Sequence, residues 1–172
     1  MVSINLDKSI QGSILDIGGG GEGVIGRIYQ SQVTAIDIRL DELNEAPDGF
    51  AKQEMDATKL EFDACTFDNA TSFYSFMYIE KEDHVRVLKE IHRVLRPGGR
   101  LLIWDADIQT ADPFLVELDI DANGSKIHTT YGIYKEDGFQ NAEYFVGICQ
   151  KTGFSLVNQE SAQDQFFLHF KK

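Results

Sequence analysis

Short apolar runs alternate with segments of helical periodicity along the first two thirds of the chain. The runs predict strands, the fourth with its following loop, at residues 13–17, 32–38, 50–55, 67–78 and 100–106. Residues 40–46 and 81–95 predict helices, and a Pro-Gly-Gly sequence ends the longer one. Alternating strands and helices favour right-handed βαβ units, and therefore a doubly wound α/β fold with a parallel sheet.

The longer predicted helix has the clearest helical periodicity. Val85, Leu88, Ile91, His92 and Leu95 recur at intervals of three and four residues. This spacing makes residues 81–95 the strongest helix prediction in the chain.

The pattern changes after residue 112. Residues 114–120 and 126–134 alternate around Asp-Ala-Asn-Gly at 121–124, which predicts a hairpin in an insertion of about 113–135. Phe114, Val116, Leu118 and Ile120 give it one apolar face, which must pack on something. We expect this insertion to cover the active site or to form a homodimer contact. A helix at 139–151 and strands at 154–158 and 165–170 follow, and the 172 residues are expected to form a single domain.

Charge and composition narrow the class of partner. The formal net charge is -12, which disfavours nucleic acid and anionic membranes, because both attract clustered Lys and Arg. Cys65 and Cys149 show no metal-binding spacing, and no metal site is expected. The N-terminal residues show no basic start followed by an apolar run, and no apolar run is long enough to span a bilayer, so we expect no signal peptide and a cytoplasmic protein.

Glycines follow the first predicted strand as a dense turn. Gly18, Gly19 and Gly20 belong to this turn, and Gly18, Gly20 and Gly23 match GxGxxG between a strand and a helix. Such glycines permit positive φ and the close approach of a ligand to the backbone. The motif alone fits dinucleotide-binding enzymes as well.

Asp16 separates two kinds of cofactor. A dinucleotide places its pyrophosphate at a helix N-terminus after such a turn, and the Asp16 carboxylate would repel it. S-adenosylmethionine has no phosphate and carries an ammonium group and a sulfonium, both of which a carboxylate favours. Asp16 therefore predicts the cationic cofactor.

Acidic residues also end the next two strands. Asp37 can accept hydrogen bonds from both ribose hydroxyls, a contact that either cofactor would offer. Asp56 can accept from the adenine amino group, and the amide of Ala57 can donate to the ring. These residues predict an adenosine site without distinguishing the two cofactors.

Five segments occur in the order seen in class I S-adenosylmethionine-dependent methyltransferases, which the chain resembles over nearly its whole length. They are ILDIGGGGEG, AIDI, MDATKLEF, FDNATSFYSFMYI and LKEIHRVLRPGGRLLIWD. The final GFSLVNQ and QFFLHF resemble the antiparallel sixth and seventh strands of that family. The resemblance implies a Rossmann-like, mainly parallel seven-stranded sheet with an antiparallel last strand, and the hairpin insertion after the fifth strand.

The resemblance also implies positions in the site. Asp16, Gly18 and Gly20 would line the methionyl part, and Ile38 would pack on the adenine face. Phe73 would lie near the transferred methyl group. Glu22 departs from the family pattern, because a third glycine usually stands there.

Methyl transfer requires a base only if the acceptor must lose a proton early. Asp105 and Tyr74 are the first candidates for a catalytic role, and His128 and Tyr131 are further candidates. No single catalytic residue is predicted. The leading hypothesis is a methyltransferase acting on a small molecule. A non-catalytic cofactor-binding or scaffold protein and a nicotinamide-dependent oxidoreductase are the alternatives.

Overall fold

The computed structural model describes residues 2–6, 9–109, 112–122, 125–134 and 138–172. The strands are β1 (Val2–Asn5), β2 (Ile14–Ile17), β3 (Val33–Asp37), β4 (Ala51–Glu54), β5 (Phe67–Phe73), β6 (Leu95–Ala106), β7 (Phe114–Ala122), β8 (Ser125–Ile133), β9 (Ser155–Ala162) and β10 (Gln165–Lys171). The α-helices are α1 (Val24–Tyr29), α2 (Leu40–Glu45), α3 (His84–Val94) and α4 (Ala142–Lys151). None of these helices has the length and apolarity needed to cross a bilayer.

Seven strands form the main sheet in the order β4-β3-β2-β5-β6-β10-β9. The neighbouring strands from β4 to β6 are parallel, whereas β10 is antiparallel to both β6 and β9. The α/β fold predicted from the sequence is therefore confirmed, and its sheet is mixed. The parallel strands bring their carboxyl ends to one edge.

The core lies on both faces of this sheet, because side chains alternate along each buried strand. Leu15, Ile17 and Ile103 face a layer that contains α3 and α4. Ile14 and Leu102 face the opposite layer, which contains α1 and the β7–β8 hairpin. Strands buried on both faces explain why the sequence shows near-continuous apolar runs there.

Helix α3 forms where the sequence predicts it, but its buried face differs in part. Leu88 and Ile91 are buried, while Val85 is 37% exposed. The helix spans His84–Val94 and not residues 81–95, and its buried residues are His84, Val87, Leu88, Ile91 and Val94. The spacing therefore located the helix but included one exposed position, Val85.

Strand β6 begins directly after α3, five residues before the predicted start. Leu95 already pairs with Phe67, and the register shifts at Asn69, which pairs with Arg100. Pro97 lies near the beginning of the strand, where a proline is tolerated, and Gly98 has a φ of 78°. The predicted Pro-Gly-Gly stop is thus a bulge within a strand.

A second sheet has the order β1-β7-β8 and contains the predicted hairpin. Its strands pair from Phe114 opposite Ile133 to Ala122 opposite Ser125, and positions 123 and 124 of the predicted turn lie outside the described residues. The expected apolar face is confirmed, since Val116, Leu118 and Ile120 are buried. They share a core cluster with residues of the main sheet.

The N-terminal strand was not predicted. Residues of β1 pair in parallel with β7, with Val2 opposite Leu118 and Asn5 opposite Asp121. Four residues give too short an alternation to identify a strand, and the partner lies more than a hundred positions away.

Two helical glycines should respond oppositely to alanine. A Cβ at Gly26 in α1 would lie 2.3 Å from the Phe50 ring, whereas one at Gly147 in α4 would meet nothing within 4 Å. Gly26→Ala should lower the free energy of unfolding by about 1–3 kcal/mol through overpacking. Gly147→Ala should raise it by about 0.5–1 kcal/mol through helix propensity. Urea unfolding of both variants measures the difference, and equal effects would contradict the packing described here.

Candidate active site

The carboxyl ends of four parallel strands meet at one edge of the main sheet. The glycine turn follows β2, Asp37 ends β3, Phe73 ends β5 and Asp105 stands near the end of β6. In open α/β sheets this edge is where ligands bind. The topology thus collects most of the predicted site residues in one region.

The glycine turn is fixed by its own backbone. The amides of Gly18 and Gly19 both donate to the carbonyl of Ile36, at 2.8 and 3.0 Å. Positive φ values occur at Gly18, Gly21 and Gly23 and not at Glu22. Glu22 can therefore replace the family's third glycine, and its carboxylate lies 3.2 Å from the Arg27 guanidinium.

Three consecutive glycines pack against acidic side chains. A Cβ on Gly19 would lie 2.5 Å from an Asp16 carboxylate oxygen, and one on Gly20 would lie 3.0 Å from an Asp37 oxygen. A Cβ on Gly21 would lie 3.0 Å from a Glu42 oxygen. The turn therefore needs glycine at these positions, and the surface that it presents is acidic.

Asp16 is the most deeply buried of these acids. The Thr71 hydroxyl donates to its Oδ1 at 2.7 Å. Burial raises the pKa of Asp16 to about 7, the Thr71 hydrogen bond opposes this rise, and the charge of Asp37 adds to it. A cation brought to this carboxylate would favour its ionised form.

The other predicted adenosine contacts lie beside Asp37. The Asp37 carboxylate is half-buried and accepts from the Arg39 amide at 3.0 Å. The Met55 amide donates to the Asp37 carbonyl, which places the start of the loop after β4 next to Asp37. Asp56 is exposed and accepts from the Thr58 amide.

Ile38 and Ala57 differ in what they offer a ligand. Ile38 is 67% exposed directly after β3. Ala57 is partly buried against the core. Ile38 thus leaves an apolar side chain free beside Asp37, as a residue that packs on an adenine ring would.

Aromatic side chains form the opposite side of the site. Tyr74 has a φ of 52° and is buried, with its ring stacked on that of Tyr131 from the hairpin at a centroid distance of 5.0 Å. Phe73 meets the same Tyr131 ring at 6.1 Å. The Ser75 hydroxyl donates to the Gly18 carbonyl at 3.3 Å, which ties this loop to the glycine turn.

Burial raises the pKa of Tyr74, with a further contribution from the charge of Asp105. Its hydroxyl pairs with the Gln165 side-chain oxygen. A phenol held in its neutral form donates hydrogen bonds and offers an apolar face, but does not act as a base. Tyr74 is therefore suited to shaping the site.

Asp105 is fully buried, and its carboxylate accepts several hydrogen bonds. Its oxygens accept from the amides of Phe76 and Ala106 and from the Gln140 side chain, at 2.9, 2.8 and 2.7 Å. Burial raises its pKa to about 7 despite these hydrogen bonds. The geometry favours holding the loop after β5 in place over taking a proton from an acceptor.

His128 lies on the outer side of the hairpin. It is exposed, and its Nδ1 is 2.9 Å from an Asp119 carboxylate oxygen. Unlike Tyr131, it is not brought to the glycine turn or to the loop after β5 by any described contact.

Comparison with known proteins identifies the family of this chain. A family model described as a methyltransferase domain matches residues 15–103, which is just over half of the chain. The chain belongs to this methyltransferase family. The family and its fold imply S-adenosylmethionine as the cofactor, as the sequence predicted.

Individual relatives cover different shares of this methyltransferase chain. It is 34% identical over 122 residues to the sterol 4-C-methyltransferase strm-1 of Caenorhabditis elegans, covering 64% of this chain and 36% of that protein. It is 32% identical over 112 residues to the chloroplastic 2-phytyl-1,4-beta-naphthoquinone methyltransferase of Arabidopsis thaliana, covering 59% and 42% respectively. The chain thus matches about two fifths of the length of these relatives.

Solved structures share the fold at low sequence identity. A SAM-dependent methyltransferase from Methanosarcina mazei superposes with a TM-score of 0.68 and 18% identity, covering 95% of this chain and 94% of the other. One from Mesorhizobium loti gives a TM-score of 0.67 at 19% identity, covering 93% and 90%.

The residues at the glycine turn fit this cofactor. Asp37 and Glu42 give the turn a negative field that the Arg39 guanidinium, 3.0 Å from Glu42, reduces in part. Asp16 adds to this field when an ammonium or a sulfonium favours its ionised form. The same field would oppose a pyrophosphate, which argues against the nicotinamide alternative. The close packing of Gly19 and Gly20 leaves backbone, and not side chains, to meet a ligand.

Sequence reasoning missed Thr71, Ser75 and Glu42. Thr71 and Ser75 come from β5 and its loop, and Glu42 from α2. Small polar residues and an acid in a short helix carry no motif of their own, and only the strand register places Thr71 beside Asp16.

The raised pKa of Asp16 predicts how the free energy of unfolding depends on pH. Between about pH 4 and pH 7 the unfolded chain ionises this carboxyl while the folded chain keeps it protonated, so its contribution to stability falls as pH rises through that range. Asp16→Asn removes this penalty and keeps an acceptor for Thr71. We expect the variant to exceed the wild type at pH 8 by on the order of 2–4 kcal/mol, with the difference vanishing near pH 4.

Chemical unfolding at both pH values measures this, with Asp48→Asn as the exposed control. A variant no more stable than the wild type at pH 8 would show that Asp16 is not desolvated as described.

Proposed function

We propose that this protein transfers a methyl group from S-adenosylmethionine to a small-molecule acceptor. The observation that carries this proposal is the packing of Gly19, Gly20 and Gly21 against three carboxylates at the edge of the sheet. An acidic, glycine-lined turn favours a cationic amino-acid tail, and Asp37 beside it can accept from ribose hydroxyls. The names of the relatives, which denote sterol and naphthoquinone methyltransferases, support a small acceptor.

The residues have distinct roles in this proposal. Asp16 and the backbone of residues 18–20 hold the methionyl part, Asp37 holds the ribose, and Asp56 with Ala57 meets the adenine on which Ile38 packs. Phe73, Tyr74 and Tyr131 exclude water from the place of transfer. When bound, the cofactor would supply an electrophilic methyl group for transfer to the acceptor, and these residues would hold and orient it.

Asp105 acts as a positioning residue in this scheme. It fixes the loop that carries Tyr74 by accepting from the Phe76 amide, and it holds Gln140 at the same time. Positioning and exclusion of water are the main requirements of an in-line methyl transfer.

The β7–β8 hairpin of the predicted insertion covers the site and belongs to the same domain. Its apolar face packs within its own chain, which supports a cover over the alternative of a homodimer contact. The Tyr78 hydroxyl donates to the Gly132 carbonyl and accepts from the Gly132 amide, both at 3.2 Å, and so fastens β8 to the loop after β5.

Calorimetry with S-adenosylhomocysteine tests the cofactor site. Asp37→Asn should weaken binding about 10- to 100-fold, because a charge-assisted hydrogen bond contributes about 1.5–3 kcal/mol. Asp48→Asn makes the same change at an exposed position and should bind like the wild type. The absence of binding to the wild-type chain, with its fold intact, would overturn the proposed function.

Tyr131 should control the release of the product. Tyr131→Ala should speed dissociation of S-adenosylhomocysteine at least tenfold, since it removes the ring that stacks on Tyr74. Tyr131→Phe keeps the ring and should dissociate like the wild type. Stopped-flow displacement gives both rates, and an unchanged rate in Tyr131→Ala would contradict a covering role.

Turnover separates catalysis from binding alone. Acceptor-dependent formation of S-adenosylhomocysteine should appear on a panel of phenols, hydroquinones and sterols. Binding without turnover on every acceptor would favour the non-catalytic alternative.

A further inference from the structure

A short 3₁₀ turn, Phe76–Tyr78, follows β5 and connects two parts of the candidate site. The hydroxyl of Ser75, directly before it, donates to the carbonyl of Gly18 in the glycine turn. The hydroxyl of its last residue, Tyr78, bonds to both the amide and the carbonyl of Gly132 in the hairpin. Movement of this 3₁₀ turn would therefore move the hairpin relative to the glycine turn.

A buried histidine binds the 3₁₀ turn at both ends. His84 is the first residue of α3, and its side chain is 3% exposed. Its Nε2 atom lies 3.1 Å from the Phe76 carbonyl oxygen and 3.2 Å from that of Ile79. A carbonyl oxygen can only accept, so Nε2 carries a proton and donates to both oxygens. One N–H group therefore holds the beginning of the turn and the residue that follows it.

Contacts on its other sides fix the orientation of the His84 ring. Its Nδ1 atom lies 3.1 Å from the Tyr144 hydroxyl of α4. In a neutral ring with the proton on Nε2, Nδ1 accepts from that hydroxyl. The ring also stacks on Phe145 at 5.4 Å and meets the Phe76 ring edge-on at 5.3 Å. His84 thus connects α4 with the 3₁₀ turn.

A second buried side chain, that of Asp105, binds the same turn. Its carboxylate accepts from the Phe76 amide at 2.9 Å, while His84 binds the carbonyl oxygen of that residue. Asp105 also accepts from the side chain of Gln140, which lies just before α4. Two buried side chains therefore fix the 3₁₀ turn relative to the start of α4.

We propose that His84 is a positioning residue of the methyl-transfer site. Its Nε2–H group fixes the 3₁₀ turn, and the turn holds the hairpin closed over the cofactor through Tyr78. His84 acts through the turn and not on the cofactor itself. This role rests on the proposed function for its meaning, but dissociation of S-adenosylhomocysteine measures it without an acceptor.

Two substitutions separate the donor from the rest of the ring. His84→Gln can place an amide N–H where Nε2 donates, whereas His84→Asn is one carbon shorter and cannot reach the turn. His84→Asn should speed dissociation of S-adenosylhomocysteine about three- to tenfold, as expected for the loss of one or two neutral hydrogen bonds. His84→Gln should stay close to the wild-type rate. Stopped-flow displacement measures both.

His92→Asn is the matched control in the same helix. It makes the same change about two helical turns further along α3, where the ring packs on Phe154 and not on the 3₁₀ turn. Dissociation should be unchanged in this variant. If His84→Asn fails to fold, His84→Leu keeps an apolar side chain against Phe145 without a donor and should act in the same direction.

A double variant tests the route through Tyr78. Tyr78→Phe removes the hydroxyl that binds Gly132 and should by itself speed dissociation. If His84 acts by placing Tyr78, then His84→Asn should add little in the Tyr78→Phe background. Effects that multiply would show that the two side chains act independently, and they would overturn the proposal.

NMR tests the donor directly. The ¹⁵N shifts of the ring distinguish the expected Nε2–H tautomer from Nδ1–H, and loss of the signal in His84→Gln assigns it among the four histidines. An Nδ1–H tautomer, an unchanged rate in the folded His84→Asn or His84→Leu variant, or equal rates in the Asn and Gln variants would overturn the role of His84. In each case binding of S-adenosylhomocysteine to the wild type would leave the proposed function standing, whereas no binding to the wild type would overturn both.

Discussion

The Asp16 carboxylate is held out of water beneath a run of glycines, and the chemistry of the site follows from that placement. Desolvation makes its charge unfavourable unless a cation or a hydrogen-bond donor is close. Thr71 supplies one donor, and Asp37 nearby makes ionisation still harder. A site built in this way favours a positively charged ligand, because the charge of the ligand stabilises the ionised form of the buried carboxylate.

The second sheet, β1-β7-β8, adds side chains to the aromatic side of the candidate site. Its buried side chains share one core cluster with residues of α1 and of the main sheet. Tyr131 thereby reaches the aromatic side of the site, and Tyr78 holds the neighbouring backbone. On the same face, Phe73, Trp104 and Phe167 stand opposite one another on the adjacent strands β5, β6 and β10.

Much of the candidate site could be located from the sequence, because strand ends in a parallel sheet share an edge. Asp16, Gly18 and Asp37 each follow or end an apolar run, and that position alone brings them together. The roles of Asp105 and Tyr74 could not be inferred in this way. Whether a carboxylate is open to a ligand or enclosed by amides depends on the path of a loop, and the donor Gln140 lies 35 residues from Asp105.

The sequence by itself determined the α/β class, the glycine turn with its acidic neighbours and the apolar face of the hairpin. These depend on local periodicity and on residue chemistry, both of which are visible in a linear pattern. Only the tertiary structure decided the pairing of β1 with β7, the stacking of Tyr131 on Tyr74 and the stacking of Trp104 on Phe167. Each of these joins segments far apart in the chain, and such contacts are set by how the layers pack and not by the order of residues within one segment.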